Sequence, residues 1–271
     1  MSTTLSTKKI TLATAAILVA VAGYFFISTS SADALTPLAS VQSGDLVRGE
    51  ATPAVYYIGA DGQRYVFPNS NTYFTWYTDF DNVKFLSDAD LGKLKIGGNV
   101  TYRPGVTMIK INTDPKTYAV SKDGTLRHVT SEDIAIGLYG TNWNKNVHDM
   151  PDSFFGNYTI GSAIVSTSEF VPANETATAS TINSDKDLQA PATMSIGSNG
   201  YTPVDVTITP GRSIKFTNND TINHTVTSDD LSWGTGTIQP GDSKIVSFDK
   251  AGTFPFFDSY NSQNTGAIYV Q

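Results

Sequence analysis

An internal duplication runs through the first half of the 271-residue chain. Leu46–Gly62, which reads LVRGEATPAVYYIGADG, aligns without a gap on Met108–Gly124, which reads MIKINTDPKTYAVSKDG. In both copies apolar residues alternate towards an Asp-Gly pair, and a short apolar run (QRYVF or TLRHV) follows it. Asp-Gly in this setting is a strong signal for a tight turn, because the pair accepts positive φ angles. The duplication therefore predicts two β-hairpins of one design.

A helical segment follows each hairpin. In the first copy, NSNTYFTWYTDF begins with Asn and Ser, which can cap a helix. In the second copy, Thr130 and Ser131 open the helix and Gly140 ends it. Ser87 and Asp90 have the spacing of a capping box, with Asp in place of the usual Glu or Gln, and predict a further helical turn in the first copy.

These patterns predict a duplicated hairpin-plus-helix module. We place it in a β-rich repeat domain at residues 35–165, with its copies at 46–107 and 108–165. Each copy closes on a short apolar segment, IGGNV or IGSAI. Because one copy alone is too small to bury much surface, we expect the two copies to share a core.

The composition changes after the duplication. Residues 166–192 are rich in Ser, Thr and Ala and show little periodicity, so we predict an extended linker there. From residue 193 to 271 short alternating runs are separated by turn residues, which is typical of a small β-sandwich. The fold class predicted for the chain is mainly β with short helices.

The N-terminus has the pattern of an export signal. Lys8 and Lys9 precede an uncharged apolar run at residues 10–27, and an Ala-Asp-Ala site ends at Ala34. This order is that of a signal peptide, but the run is also long enough to cross a bilayer. We therefore predict that residues 1–34 are a signal peptide or an N-terminal membrane anchor, spanning through residues 10–27 if uncleaved. The rest of the chain is then expected outside the cytoplasm.

Charge and residue types exclude several functions. The net charge of −7 argues against a nucleic-acid partner, because phosphates require a basic surface. The absence of cysteine excludes disulfides and thiolate nucleophiles. The sequence around the three histidines, His128, His148 and His224, contains no recognisable motif of a catalytic nucleophile or of a metal-binding helix. We predict a protein that is not an enzyme and carries no cofactor.

The C-terminal segment at 193–271 resembles a cupredoxin of the plastocyanin type. The residues that carry the resemblance are the motifs YTP, PG, FTNND, HTV, QPG and GTF, in this order along the segment. The resemblance implies a Greek-key β-sandwich. It also implies a copper site made of two His, one Cys and a weak axial Met.

Three of the four implied copper ligands are replaced. His224 stands at the first His position, Asp258 at the Cys position, Asn261 at the second His position and Asn264 at the Met position. Carboxylate and amide oxygens are hard and unselective donors compared with a thiolate, so we predict that copper binding is lost. His224 is then either a residue that hydrogen-bonds across the top of the sandwich or a half-exposed loop residue. An adventitious Zn²⁺ or Cu²⁺ site made of His224 and Asp258 is a further alternative.

Aromatic residues are dense in the duplicated module, and two readings of them stay open. Trp76 and Trp143 could belong to a platform that stacks on sugar rings. Alternatively, they fill the core of a small β-rich domain, the usual role of such residues.

The duplicated module also resembles repeat regions in predicted exported proteins of uncultivated small-genome bacteria. Together with the export signal, this predicts a non-catalytic cell-surface protein with an envelope-structural or adhesive role. Its expected partner is a component of the cell envelope or another surface protein. A copper-binding electron-transfer cupredoxin and a cell-wall polysaccharide-binding protein are the alternative functions.

Overall fold

Both copies of the duplicated segment form a five-stranded sheet in the computed structural model, which describes residues 34–271. The predicted signal peptide or anchor, including the apolar run at 10–27, lies outside the described residues, apart from Ala34. Within the described part, none of the helices is long and apolar enough to cross a bilayer. Leu35–Gln271 form one contiguous unit.

The first sheet has the order β4-β1-β2-β3-β5. Its hairpin is antiparallel, and both outer strands are parallel to their neighbours. Asn69 caps the first helix and Ser87 the second, each by accepting a hydrogen bond from a backbone N–H of the first turn. The elements are β1 (Leu46–Arg48), β2 (Val55–Ile58), β3 (Arg64–Val66), α1 (Ser70–Trp76), β4 (Val83–Phe85), α2 (Asp88–Lys93) and β5 (Ile96–Asn99).

The second sheet has the corresponding order β9-β6-β7-β8-β10, with the same sense at each pairing. Ser131 caps its first helix, which ends at Gly140 with φ +82°. The elements are β6 (Met108–Ile111), β7 (Asp114–Ser121), β8 (Thr125–His128), α3 (Glu132–Tyr139), β9 (Val147–Asp149), α4 (Asp152–Phe155) and β10 (Thr159–Ile160).

Both predicted hairpins form, and in equivalent registers. Tyr56 pairs with Val66 in the first sheet, and Tyr118 pairs with His128 in the second. The second hairpin has three residues between its paired strand ends, Ser121 and Thr125, and among them Asp123 and Gly124 have φ angles of +56° and +60°. Both residue types accept positive φ angles in hairpin turns. In the first hairpin only the Gly of the Asp-Gly pair has a positive φ, and the connection is wider.

The expectation of one shared core for the two copies is wrong. Leu46 and Val47 belong to two different apolar clusters of the first copy, as expected when successive strand residues point to opposite faces. The second sheet has two further clusters. Each sheet is thus packed on both of its faces, and the one exception to this separation among the described residues is Tyr102, which follows β5 at the end of the first copy and joins a cluster of the second.

The segment predicted as an extended linker is folded. It contains α5 (Pro172–Thr178) and α6 (Ile182–Asp185), and Thr181 and Ser184 form a capping box at the start of α6. Phe170 is buried in a cluster of the second copy and Ile182 in a cluster of the first. Because these helices have only one or two turns, they show no periodicity in the sequence, and their few apolar residues are fixed by long-range packing.

The C-terminal strands form the predicted sandwich of two four-stranded sheets, ordered β12-β11-β14-β16 and β13-β18-β17-β15. Buried residues from both sheets, among them Ile196, Phe216, Phe256 and Ile268, form a single core. The strands are β11 (Ala192–Gly197), β12 (Gly200–Thr202), β13 (Asp205–Ile208), β14 (Arg212–Asn218), β15 (Thr227–Ser228), β16 (Ser243–Phe248), β17 (Gly252–Asp258) and β18 (Asn261–Val270). The prediction of a mainly β chain with short helices is confirmed.

Candidate functional site

His224 lies at one end of the sandwich, in the connection between β14 and β15. Its backbone exchanges two hydrogen bonds with Ile238, at 3.2 and 2.8 Å. The side chain is 2% exposed, so the ring is buried rather than half-exposed in a loop. A polar ring at this depth requires hydrogen-bond partners.

Two carboxylates provide these partners. His224 Nδ1 is 2.6 Å from Asp258 Oδ2, and His224 Nε2 is 3.1 Å from Asp220 Oδ2. Burial lowers the pKa of His224, but hydrogen bonds and charge from Asp258 and Asp220 outweigh burial, so the pKa is raised above 6.5. Because both ring nitrogens face acceptors, the geometry favours an imidazolium that donates to both carboxylates.

Asp258 is held by backbone groups as well as by the imidazole. It is the last residue of β17, at a register shift, and is 0% exposed. Its Oδ1 accepts hydrogen bonds from the N–H groups of Thr225, at 2.9 Å, and Tyr260, at 3.1 Å. The Asp258 carboxylate therefore links two segments, namely the β14–β15 connection, which contains His224, and the β17–β18 turn.

Asp220 belongs to the FTNND motif that ends β14. Its carboxylate accepts a hydrogen bond from the N–H of Thr221, at 2.6 Å. This bond, followed by the one to His224, lowers the pKa of Asp220. The neighbouring Asn218 is buried and donates to the carbonyl oxygens of Ile222 and Ile238, which fixes the loop.

The structure brings together two of the four positions implied by the copper-site resemblance. Asn261 opposes Asp258 in the β17–β18 ladder, but its side chain is exposed and accepts a hydrogen bond from the N–H of Gln263. Asn264 is half-buried, and its Oδ1 lies beside Gly200, where an added Cβ would be 3.1 Å from it. Neither amide takes part in the hydrogen bonds of His224.

This arrangement does not fit a copper ion. The position of the thiolate holds a carboxylate that is already hydrogen-bonded to the imidazole nitrogen facing it. Both ring nitrogens are engaged, so no lone pair of His224 is free for a metal. Within residues 34–271, no group of three His, Cys, Asp or Glu side chains is arranged to hold a metal ion.

Comparison with known proteins agrees with the architecture of this region. A family model described as a cupredoxin-like domain matches residues 170–270. The C-terminal region is a cupredoxin-like domain. The matched range begins at Phe170, inside the segment that was predicted to be a linker. No curated protein matches the chain.

Solved structures similar to the chain include three copper-protein types. A novel purple cupredoxin from Nitrosopumilus maritimus is 20% identical, with 30% of this chain and 99% of that chain covered and a TM-score of 0.28. Amicyanin from Paracoccus versutus is 16% identical, with 30% and 81% covered and a TM-score of 0.28. The Cu-containing nitrite reductase from Thermus scotoductus is 21% identical, with 31% and 23% covered and a TM-score of 0.29.

The two tryptophans proposed for ligand stacking lie on different clusters. Trp76 is half-buried against the core of the first copy, and its Nε1 donates to the carbonyl oxygen of Thr101 at 2.8 Å. Trp143 is half-buried against a cluster of the second copy. The structure therefore does not join them in one platform, and a binding role for either stays a prediction.

Sequence reasoning missed one residue of the C-terminal site. Asp220 is part of a motif that carried the family resemblance, but a role beside the imidazole was not assigned to it. The available signal was the spacing of Asp220 and His224, four residues apart, in a loop already fixed by Asn218.

Proposed function

We propose that the chain is a non-catalytic, exported cell-surface protein in which the cupredoxin-like domain is a copper-free scaffold. The observation that carries the copper-free part of the proposal is the Asp220–His224–Asp258 cluster, in which two carboxylates lie on either side of a buried imidazole. It occupies the place where the family resemblance implies the metal.

The cluster replaces the metal as the link between loops. A copper ion in such a domain joins side chains from separate loops through coordinate bonds. Here Asp258 joins the same parts of the chain through charged hydrogen bonds to His224 and to two backbone N–H groups. Charged hydrogen bonds in a buried site are among the stronger ones in proteins, so the end of the sandwich is held without an ion.

The same cluster disfavours the alternative of an electron-transfer cupredoxin. To bind copper, His224 Nδ1 would have to leave Asp258 and lose its proton inside the domain. Breaking a buried charge pair leaves one charge without a partner, which costs several kcal/mol. The remaining donors are oxygens and contribute little of the selectivity that sulfur supplies.

A copper titration tests this part of the proposal. We expect the purified full-length protein to develop no strong visible charge-transfer band with Cu²⁺ and to retain no stoichiometric copper after gel filtration. The matched control is the triple variant Asp258→Cys, Asn261→His and Asn264→Met, which restores the implied ligand set and should gain a visible band. Wild-type protein that holds one tightly bound, redox-active copper would contradict the proposal.

Cell fractionation tests the location. The export pattern at residues 1–34 supports a protein that is released after Ala34 or held by residues 10–27. We expect the protein in the envelope or the medium, accessible to protease added to intact cells, and N-terminal sequencing distinguishes cleavage from anchoring. Recovery of a protease-protected protein in the cytoplasmic fraction would refute the location.

The role in the envelope is structural or adhesive in this proposal. Support comes from the two sheets of equivalent strand order, which repeat one architecture in tandem on one chain. It also comes from the resemblance of the duplicated module to repeat regions of predicted exported proteins. The alternative of a polysaccharide partner is favoured by the cavities beside the first helix of each sheet.

A further inference from the structure

Each of the two N-terminal sheets has a cavity beside its first helix. The first cavity has a volume of about 520 Å³, within the range of small-ligand sites, and lies among the hairpin, the start of α1 and Phe154 of α4. The second has a volume of about 170 Å³ and lies among the hairpin and α3. Residues that line the first include Pro53, Val55, Phe67, Tyr73 and Phe80, and those that line the second include Pro115, Thr117, Val129, Ala135 and Trp143.

The two cavities occupy equivalent places. Pro53 and Pro115 are partners in the gapless alignment of the two copies, and each lines the cavity of its own sheet. An aromatic residue from the connection between helix and outer strand closes each cavity, Phe80 before β4 and Trp143 before β9. The two cavities thus lie at equivalent positions but have different aromatic residues in their walls, which indicates two related subsites.

The aromatic wall of the first cavity is exposed and rigid. Phe80 is 49% exposed and stacks on Tyr73, with ring centroids 4.4 Å apart and planes at 20°. Tyr73 is buried, and its hydroxyl donates to the carbonyl oxygen of Asp79 at 2.6 Å. Phe74, which is 50% exposed, packs against Phe80 in an edge-to-face arrangement, with ring centroids 5.3 Å apart. Phe80 is thus held by two neighbouring rings while about half of its surface stays exposed.

Polar side chains also line both cavities, and in the first cavity they are uncharged. Asn69, Ser70 and Asn99 line its rim. The second cavity, which Trp143 lines, is also lined by Ser131, by His128 and by the oppositely charged Lys116 and Glu132. A flat apolar face beside neutral donors and acceptors matches a sugar ring, which has an apolar C–H face and hydroxyl groups at its edge.

Two features select a polymer of neutral sugars over other partners. Two equivalent cavities on one chain match a ligand whose own units repeat, because each unit can present the same groups. The net charge of −7 disfavours a polyanion. We propose that the two cavities are paired subsites for one neutral polysaccharide chain, with Phe80 and Trp143 as the stacking residues.

The inference rests on the proposed surface role for its biological meaning, but its test needs only purified protein. Native gels that contain chitin oligomers, laminarin, xylan, mannan or dextran give the retention of the full-length protein. We expect retention by at least one polymer, with an affinity that rises about 100-fold from short oligosaccharides to long chains, because a long chain engages both subsites.

Single substitutions separate the two subsites. Phe80→Ala and Trp143→Leu should each weaken binding to the long polymer by about tenfold or more and abolish most of the dependence on chain length. The matched control is Tyr260→Ala, which removes an exposed aromatic ring from the cupredoxin-like domain and should bind as wild type does. Circular dichroism confirms that each variant is folded, and Phe80→Leu replaces Phe80→Ala if that variant is not.

Three outcomes would overturn the inference. They are no retention by any polymer of the panel, folded Phe80 and Trp143 variants that bind as wild type does, or tighter binding of a proline-rich peptide than of every saccharide. None of them bears on the location, since fractionation measures that separately. A protein shown to be cytoplasmic that still binds polysaccharide would contradict the proposed function but not the paired subsites.

Discussion

Removal of the Asp258 carboxylate is the most direct perturbation of the cupredoxin-like domain. In Asp258→Ala, the imidazolium of His224 loses its 2.6 Å partner, and the N–H groups of Thr225 and Tyr260 lose their acceptor. All three donors lie beside a side chain that is 0% exposed, so water replaces the lost bonds poorly.

The expected loss of stability follows from these contacts. Breaking a buried charge pair by removing one partner costs about 3–5 kcal/mol. For a unit of this size, each kcal/mol shifts the melting temperature by about 2–4 °C, so we expect a decrease of about 6–20 °C. Asp258→Asn should cost less, about 1–2 kcal/mol, because an amide keeps one acceptor oxygen for the backbone N–H groups.

Thermal unfolding followed by near-ultraviolet circular dichroism measures both variants against wild type. Asp249→Asn is the control, because it changes the same charge at an exposed position. If Asp258→Ala melts within about 2 °C of wild type, the cluster does not hold the domain together and the scaffold argument fails.

Three further predictions concern pH and glycine positions. The pKa of His224 is raised in the fold, so the protonated imidazole stabilises the fold fully below about pH 6.5, and this stabilisation is lost as the pH rises through the pKa of the folded state. A urea-unfolding series across pH 5–9 should show this loss in wild type and not in His224→Gln. Burial raises the pKa of Asp185 to about 6, so the ionised carboxylate is less stable in the fold than in the unfolded chain and destabilises the fold at pH 7.5. Asp185→Asn should therefore raise the free energy of unfolding at pH 7.5 by up to about 3 kcal/mol and change it little at pH 3.5, and a destabilised variant at pH 7.5 would contradict this. A Cβ at Gly105, where φ is +75°, would lie 2.1 Å from the carbonyl oxygen of Pro172, so Gly105→Ala should lower the free energy of unfolding by about 2–5 kcal/mol. Gly92→Ala, in α2 with open space around it, should instead gain about 0.5–1 kcal/mol, and equal effects of the two substitutions in urea unfolding would refute the packing argument.

Local sequence signals were sufficient for much of the fold. The Asp-Gly pairs placed both hairpin turns, because few residue pairs accept positive φ angles there. The polar residues Asn69, Ser87 and Ser131 placed three helix starts, because each side chain caps backbone N–H groups within its own first turn. The alternation after residue 192 predicted the sandwich, since each strand carries its own apolar face.

Other features depended on residues far apart in the chain. Asp258 was read from the sequence as a lost copper ligand, and only the fold shows that it binds His224, 34 positions away. Likewise, Phe170 and Ile182 converted an expected linker into packed structure by entering cores formed by the two copies.

The difference between the features that local sequence predicts and those that depend on distant residues has a physical cause. Turns and caps are decided by atoms a few residues apart, so composition and spacing contain the necessary information. Burial, charge pairing and cavity walls are decided by which distant segments meet, and the energy of a buried carboxylate changes sign with the presence of its partner. The sequence alone therefore determined the hairpins, the capped helices, the sandwich strands and the missing thiolate, whereas the tertiary structure decided the folding of the expected linker, what took the place of the metal and which aromatic rings face solvent.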